Sequence, residues 1–445
     1  MSRDWRAAYE QVAVTVLDGA PAARPLLAGF NTCVDHVYRL EPPGLDRLTE
    51  AARTGRLGEP VNRLTPAAQA AHEPLAALSG EPLAALSGEV LRRILDGRDG
   101  EVFVPAPQLR PALDELLGPP AARQVGGTGA QAAWVLAVLN APSVLALADR
   151  STEQLAVLHP GIGLCDDGSV RPVAGTAARG TPIKPPHYIL EYAAGTRWHA
   201  GTVRRSSRII VRLAEDGIER DDTFAALGPT LAETAGAGLV SGLNGVPDAD
   251  HAARAWLRDL AASWRASGLP WVHLELAEYP RPGALAEVSA AYAGIAHTLG
   301  LSLAELAIIR PGGDPAAAAR ELAEHYRFDR VFVHADTWSL VVHRGDPEPA
   351  AGALRIGNLL AASRARHGGP TADLGLDPTV TFTDDRPVGR PLGDGWRTEC
   401  VPTPYLSRPA ATIGLGDTFV AGVLLAGCLD VPLKPFVRLS PGDIP

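Results

Sequence analysis

Lysine is nearly absent from this chain: lysine and arginine together number 41 in 445 residues, yet lysine stands only at Lys184 and Lys434. A P-loop needs a lysine in its glycine-rich turn and a protein kinase needs one on a strand, and neither lysine here has such a setting. Phosphate groups would therefore be held by arginine, backbone amides and metal. Cysteine is equally scarce. Cys33, Cys165, Cys400 and Cys428 lie far apart with no Cys-x-x-Cys pair, so the spacing indicates neither a zinc knuckle nor a disulfide framework. Reduced, structural thiols are expected, with Cys33 the one whose neighbourhood could make it sensitive to inhibitors. No apolar run is long enough to span a bilayer, and Met1-Ser2-Arg3-Asp4-Trp5 lacks the apolar region of a signal peptide. The expectation is a cytoplasmic protein with no membrane partner. A formal charge of −9 and a pI near 5.8 also argue against an electrostatic grip on nucleic acid. Oligomeric state is not readable.

Hydrophobic residues make up 46%, ample for a core, and the length exceeds what one core usually serves. Two domains, or one large domain with an inserted lid, are expected. The stretch from Ala411 through Thr412, Gly414, Gly416 and Asp417 to Gly422 reads as a glycine turn that delivers a carboxylate at the start of an apolar, small-residue helix. Two glycines let backbone N–H groups approach a phosphate, and the helix N-terminus aims partial positive charge at the same point. Asp417 then stands where an alcohol must lose its proton. The alternative for an isolated Gly-x-Gly-Asp is a tight turn with Asp417 as a helix cap.

Five landmarks in order narrow the choice. The segment around Gly414 and Asp417 resembles the anion hole and catalytic base of the ribokinase superfamily. Leu26 to Asp35 resembles a first strand whose Asn31 and Asp35 face a sugar, and Gly126-Gly127-Thr128-Gly129-Ala130-Gln131 resembles a Gly-Gly-Gln-Ala-Gly turn. Val272 to Ala277 resembles a His-x-Glu strand, and Ser302 to Glu305 an Asn-x-x-Glu helix start. Together they resemble the ADP-dependent sugar kinases, the glucokinase and phosphofructokinase group, from about residue 26 to 428. Two departures stand out: Thr128 replaces an amide, and Ser302 replaces an asparagine. Serine still caps a helix, whereas Thr128 loses an amide's paired donor and acceptor and leaves the acceptor sugar open.

The resemblance implies an α/β, ribokinase-like fold, with a mainly parallel sheet flanked by helices and a smaller α/β lid. Residues 1–36, 111–180 and 226–445 would form the large nucleotide-binding domain, and 37–110 and 181–225 the lid. The helix–strand alternation from residue 236 agrees with βα units. Residues 40–110 read mainly as helices, 170–225 as a small antiparallel sheet, and 282–298 as a helix. Glu73–Gly80 is repeated at once as Glu81–Gly88, read as a duplication in a tolerant surface segment.

On this resemblance the acceptor would be held by Asn31, Asp35, Gly127, Thr128 and Glu101. Asp417 would be the base, and the Gly414 and Gly416 amides with Arg208 would stabilise the transferred phosphate. Glu275 and Glu305 would place Mg²⁺, His273 would orient Glu275, and His334 would line the strand end near the nucleotide. The donor would be ADP, and the presence of Glu101 favours glucose. A solvated glutamate at 101 and an edge arginine at 208 are the plainer alternatives for those two. A phosphofructokinase, a kinase of another sugar-like alcohol, and a weakened sugar- or nucleotide-binding sensor are the other functions left open.

Overall fold

The computed structural model describes residues 4–54, 82–182, 184–279, 281 and 283–429. Short apolar strands stack side by side into an 11-stranded sheet. From one edge its order is Arg390–Gly393, Trp396–Pro402, Trp338–His343, Arg330–His334, Thr298–Ser302, Val272–Glu275, Ala237–Val240, Leu26–Gly29, Ser143–Ala146, Gly163–Asp166 and Ser169–Pro172. The strands from Arg330–His334 through Gly163–Asp166 run parallel, and the strands beyond them at both edges are antiparallel. Successive residues of a strand face opposite sides. Leu26 and Ala28 accordingly feed one core and Leu27 the other, which Phe30, past the strand end at φ 85°, also joins. Helices Trp5–Gly19, Thr128–Val138, Pro347–His367 and Leu415–Cys428 cover the first side, and Asp222–Thr234, His251–Ala266, Ala284–Ala291 and Pro315–Tyr326 the second. This is the expected α/β arrangement.

A second sheet has the order Gly100–Phe103, Ser207–Arg212, His187–Tyr192, Cys33–Arg39, Ala122–Gly126. It is mixed and not simply antiparallel: Cys33–Arg39 runs parallel to His187–Tyr192, and Gly100–Phe103 parallel to Ser207–Arg212. Gly100–Phe103 is a strand within 40–110, which read mainly as helices; four residues that begin at a glycine and stop just before Val104-Pro105 carry too little periodicity to show. Cys33 to His36 and Ala122–Gly126 join this sheet although the expected boundaries placed them in the larger unit. One face carries Tyr38, Tyr188, Leu190, Ile209 and Val211, packed on the helices Pro42–Thr54 and Pro82–Asp96. Val37 and Ile189 on the other face pack against Ala411 and Ile413, just before the helix Leu415–Cys428. That contact sets the smaller sheet over the glycine turn.

Two local expectations also change. The helix expected over 282–298 is only Ala284–Ala291, because Gly294 turns left-handed (φ 71°) and Thr298 opens the next strand. The first octad copy lies outside the described residues. The second enters the helix Pro82–Asp96 and buries Ala84, Leu86 and Ser87, so it serves the core of the smaller sheet and not a tolerant surface.

Candidate active site

Asp417 occupies the first turn of Leu415–Cys428, whose N-terminus is Gly414 in the left-handed region (φ 72°). Gly414 is glycine for a second reason: a Cβ there would collide with the Arg364 guanidinium. Arg364, in Pro347–His367, is fully buried; its Nη1 donates to Gln131 Oε1 at 2.7 Å and to Thr418 Oγ1 at 3.1 Å. Its Nε and Nη2 have no hydrogen-bond partner. Burial lowers its pKa to about 10, with Asp417, Asp35 and Glu191 pulling the other way, so it remains a cation at neutral pH. Arg364 was not singled out from the sequence. The local signal was slight: beside Arg366 and His367 it reads as one of the cations in a helix's last turn.

The smaller sheet supplies the opposite wall. Asp35 does not end the first strand: that strand stops at Gly29, and the chain crosses through Phe30, Asn31 and Thr32 into Cys33–Arg39 of the smaller sheet. Asp35 is 4% exposed there, and burial raises its carboxyl to about 6 against the pull of His187. The Asp417 carboxylate is among the charges acting on it. Asn31 lies against Gly127 and Gly242, and its Oδ1 is a buried acceptor with no partner. Gly127 (φ 88°) caps Thr128–Val138, so Thr128 opens that helix beside Asn31. Arg208 lies in an interior strand and not on an edge; its register partner is Glu191, its Nε is buried without a partner, and its charge acts on Arg364. Glu101 is half-buried and paired: Arg212 Nη1 lies 3.2 Å from it, and Asn244 Nδ2 donates to it at 3.5 Å.

At the ends of the parallel strands, Glu275 Oε2 is 2.9 Å from His273 Nε2, as the same-face spacing predicted, and Oε1 is 3.6 Å from His334 Nε2. Burial pushes the Glu275 carboxyl up, but the hydrogen bonds from the two histidines outweigh it and hold it low. His273 Nδ1 meets Thr298 Oγ1 at 2.7 Å. Ser302 caps the helix Leu303–Ile309: its Oγ accepts from Glu305 N–H, and Glu305 Oε2 accepts from Ser302 N–H at 2.6 Å. Burial pushes the Glu305 carboxyl up, and the charge on Glu275 adds to that. Burial works against charge on His334, but Glu275, Glu305 and Asp417 keep its pKa raised. The structure thus brings Glu275, Glu305, His334 and Asp417 into one electrostatic neighbourhood, with Gly416 against the His334 ring.

Three further groups escaped the sequence. Glu191 accepts from Thr412 N–H at 2.8 Å and from Ile413 N–H at 3.2 Å. His187 lies 2.8 Å from Asp216 and 3.7 Å from Asp35. Lys184 pairs with Glu219 at 3.2 Å. Alternation in His187–Tyr192 marked a strand, but nothing local marked what its charged ends face.

No helix among the described residues is long and apolar enough to cross a membrane. Residues 24–426 match the model of the ADP-specific phosphofructokinase/glucokinase conserved region. The chain is 24% identical over 354 residues to an ADP-specific phosphofructokinase of Pyrococcus furiosus, covering 68% of this chain and 77% of that one. Its fold is similar to that of an ADP-dependent kinase solved with fructose 6-phosphate and ADPβS, at 16% identity and a TM-score of 0.73, over 98% of this chain and 100% of that one. A hypothetical ADP-dependent phosphofructokinase of Pyrococcus horikoshii gives 16% identity and a TM-score of 0.67, over 91% of this chain and 98% of that one. The glycine turn with Asp417, the acids facing it and the match over residues 24–426 lead to one conclusion: the chain belongs to the ADP-specific phosphofructokinase/glucokinase family and is an ADP-dependent sugar kinase.

Proposed function

We propose that the enzyme transfers the terminal phosphoryl group of ADP to the hydroxymethyl of an uncharged sugar, glucose, giving AMP and the sugar phosphate. The observation that supports the reading is the buried Arg364 cation packed under Gly414, on which the charges of both Asp417 and Asp35 act. Asp35 and the unpartnered Asn31 Oδ1 hold acceptor hydroxyls, with Gly127 and Thr128 completing that wall. Asp417 takes the proton as the alcohol oxygen attacks phosphorus and the bond to the AMP oxygen breaks. The Gly414 and Gly416 amides and Arg208 balance charge on the transferred group, and Arg364 adds its field from below. Closing the smaller sheet over the turn keeps water from competing for the phosphoryl group.

The Glu275 and Glu305 pair fits a hydrated Mg²⁺. Two carboxylates already act on each other there, and burial keeps Glu305 raised although the His334 cation and the Ser302 N–H pull it down. Few protein ligands leave room for the water and phosphate oxygens that Mg²⁺ prefers. These two residues would hold the ion, which neutralises phosphate charge when bound.

For the acceptor, the cations at the sugar end are engaged: Arg212 with Glu101 and Asp216, Lys184 with Glu219. A sugar phosphate would compete with those pairs and meet Glu101, which favours a neutral sugar. Phosphofructokinase activity is the second reading, favoured by the relative from Pyrococcus furiosus. A coupled screen of sugars and sugar phosphates against ADP and ATP with Mg²⁺ separates them. Preference for fructose 6-phosphate would select the second reading, and no turnover with any acceptor would select the sensor.

A further inference from the structure

We propose that Cys33, Asp35 and His187 form a binding site for a zinc-type cation, through which Zn²⁺ competes with the acceptor sugar. Cys33 and Asp35 are two apart on one strand and so share a face, and Asp35 is the register partner of His187 on the neighbouring parallel strand. Their donor atoms converge: Cys33 Sγ is 3.4 Å from His187 Nδ1 and 3.5 Å from Asp35 Oδ1, and His187 Nδ1 is 3.7 Å from Asp35 Oδ1. A tetrahedral zinc with ordinary Zn–S, Zn–N and Zn–O bonds spans ligand–ligand edges of about 3.4 to 3.6 Å. Among the described residues this is the one group of three or more such side chains close enough to share an ion.

Two features around the trio belong to a metal site and not to a chance cluster. His187 turns its other nitrogen, Nε2, to Asp216 Oδ1 at 2.8 Å, the carboxylate–histidine relay that fixes ring orientation at zinc. Gly126, across the strand from Cys33, has no Cβ; one added there would collide with Cys33 Sγ and Asp35 Oδ1, so its absence is what lets both donors tuck in side by side. A thiolate, an imidazole and a carboxylate suit Zn²⁺ or Co²⁺ and not Mg²⁺, which keeps this site chemically distinct from Glu275 and Glu305. On binding, the Cys33 thiol proton and the Nδ1 proton of His187, which Asp216 and Cys33 hold in its charged form, leave to solvent as the S–Zn and N–Zn bonds form; Nε2 keeps its proton toward Asp216, and a water completes the fourth position.

The competition with sugar rests on the assignment of Asp35 to the acceptor; the metal site does not. The metal-free full-length enzyme is titrated with Zn²⁺ by calorimetry and with Co²⁺ by absorption. One ion per chain and a thiolate-to-cobalt charge-transfer band are expected. Cys33→Ser should abolish the band and weaken Zn²⁺ binding at least about 100-fold, and Asp216→Asn, which leaves all three donors, should weaken it roughly 10- to 100-fold. Less than one bound ion, no band in the wild type, or wild-type affinity in Cys33→Ser would overturn the site. In kinetics, Zn²⁺ should raise the KM for sugar and leave that for ADP unchanged. Stoichiometric Zn²⁺ binding without effect on sugar KM would overturn the competition and the placement of Asp35, while leaving the metal site standing.

Discussion

Glu191 of the smaller sheet accepts a hydrogen bond from the Thr412 N–H at 2.8 Å, so the strand that carries the lid is tied to the turn that carries Asp417. Ile413 N–H and Thr412 Oγ1 converge on the same Oε1, at 3.2 and 3.3 Å. Three donors on one carboxylate oxygen make the turn's position depend on where the sheet lies. Glu191→Gln keeps an acceptor but loses its charge, and hydrogen bonds to charged groups contribute about 1.5–3 kcal/mol. A kcat lowered roughly 10-fold or more, with ADP binding little changed, is expected in steady-state kinetics and direct nucleotide titration. Unaltered kcat would show that the tie does not govern the turn.

Asp417→Asn preserves shape but cannot accept the proton. The expected loss in kcat is about 10²-fold or more, with nucleotide binding near normal. A variant that keeps over about a tenth of wild-type kcat would falsify the assignment of Asp417 as base.

Glu275→Gln and Glu305→Gln each remove a negative charge from the strand ends. Both should raise the Mg²⁺ concentration for half-maximal rate. Glu275→Gln should act also through His334, whose charge it supports at 3.6 Å. Activity measured against Mg²⁺ concentration decides; if neither curve moves, the metal lies elsewhere.

Glu101→Ala removes one of the two carboxylates paired with Arg212, the one at 3.2 Å, and leaves Asp216 at 3.3 Å. Glucose use should weaken, and fructose 6-phosphate should be used no worse or somewhat better, because a repelling carboxylate is gone and Arg212 is left with Asp216 alone. The measurement is kcat/KM for both sugars with ADP. Equal loss with both would remove Glu101 from acceptor discrimination.

His343 offers a pH test apart from catalysis. Burial, with Arg330 and Arg397 adding to it, lowers its pKa from 6.5 to about 4, while Nε2 has no partner. Between pH 6.5 and 4 the unfolded chain takes up a proton that the folded chain refuses. The stability contributed is therefore whole above the ordinary histidine value and lost as pH falls toward 4, by at most about 3 kcal/mol. Denaturant unfolding at pH 7.5 and 5 should show a smaller loss in His343→Gln than in the wild type; parallel losses would place the effect on other groups.

The sequence by itself determined the parts whose cause is local. Short apolar runs are strands wherever they pack, so Leu26–Gly29 and Val272–Glu275 were legible, as was the helix that begins beside Asp417. His273 and Glu275 were placed on one face by the two-residue period alone, and their 2.9 Å contact follows from it. What only the tertiary structure decided depends on pairing between distant segments. Asp35 moves to the smaller sheet because Cys33–Arg39 pairs with His187–Tyr192 and Ala122–Gly126, strands far away in the chain. The same pairing brings Cys33 to His187 across 154 positions, where no Cys-x-x-Cys spacing could announce it, and Glu191 to Thr412 across 221. Arg364 faces Gly414 and Asp417 only because two helices pack side by side, and a buried cation gains its meaning from the carboxylates that the fold carries to it.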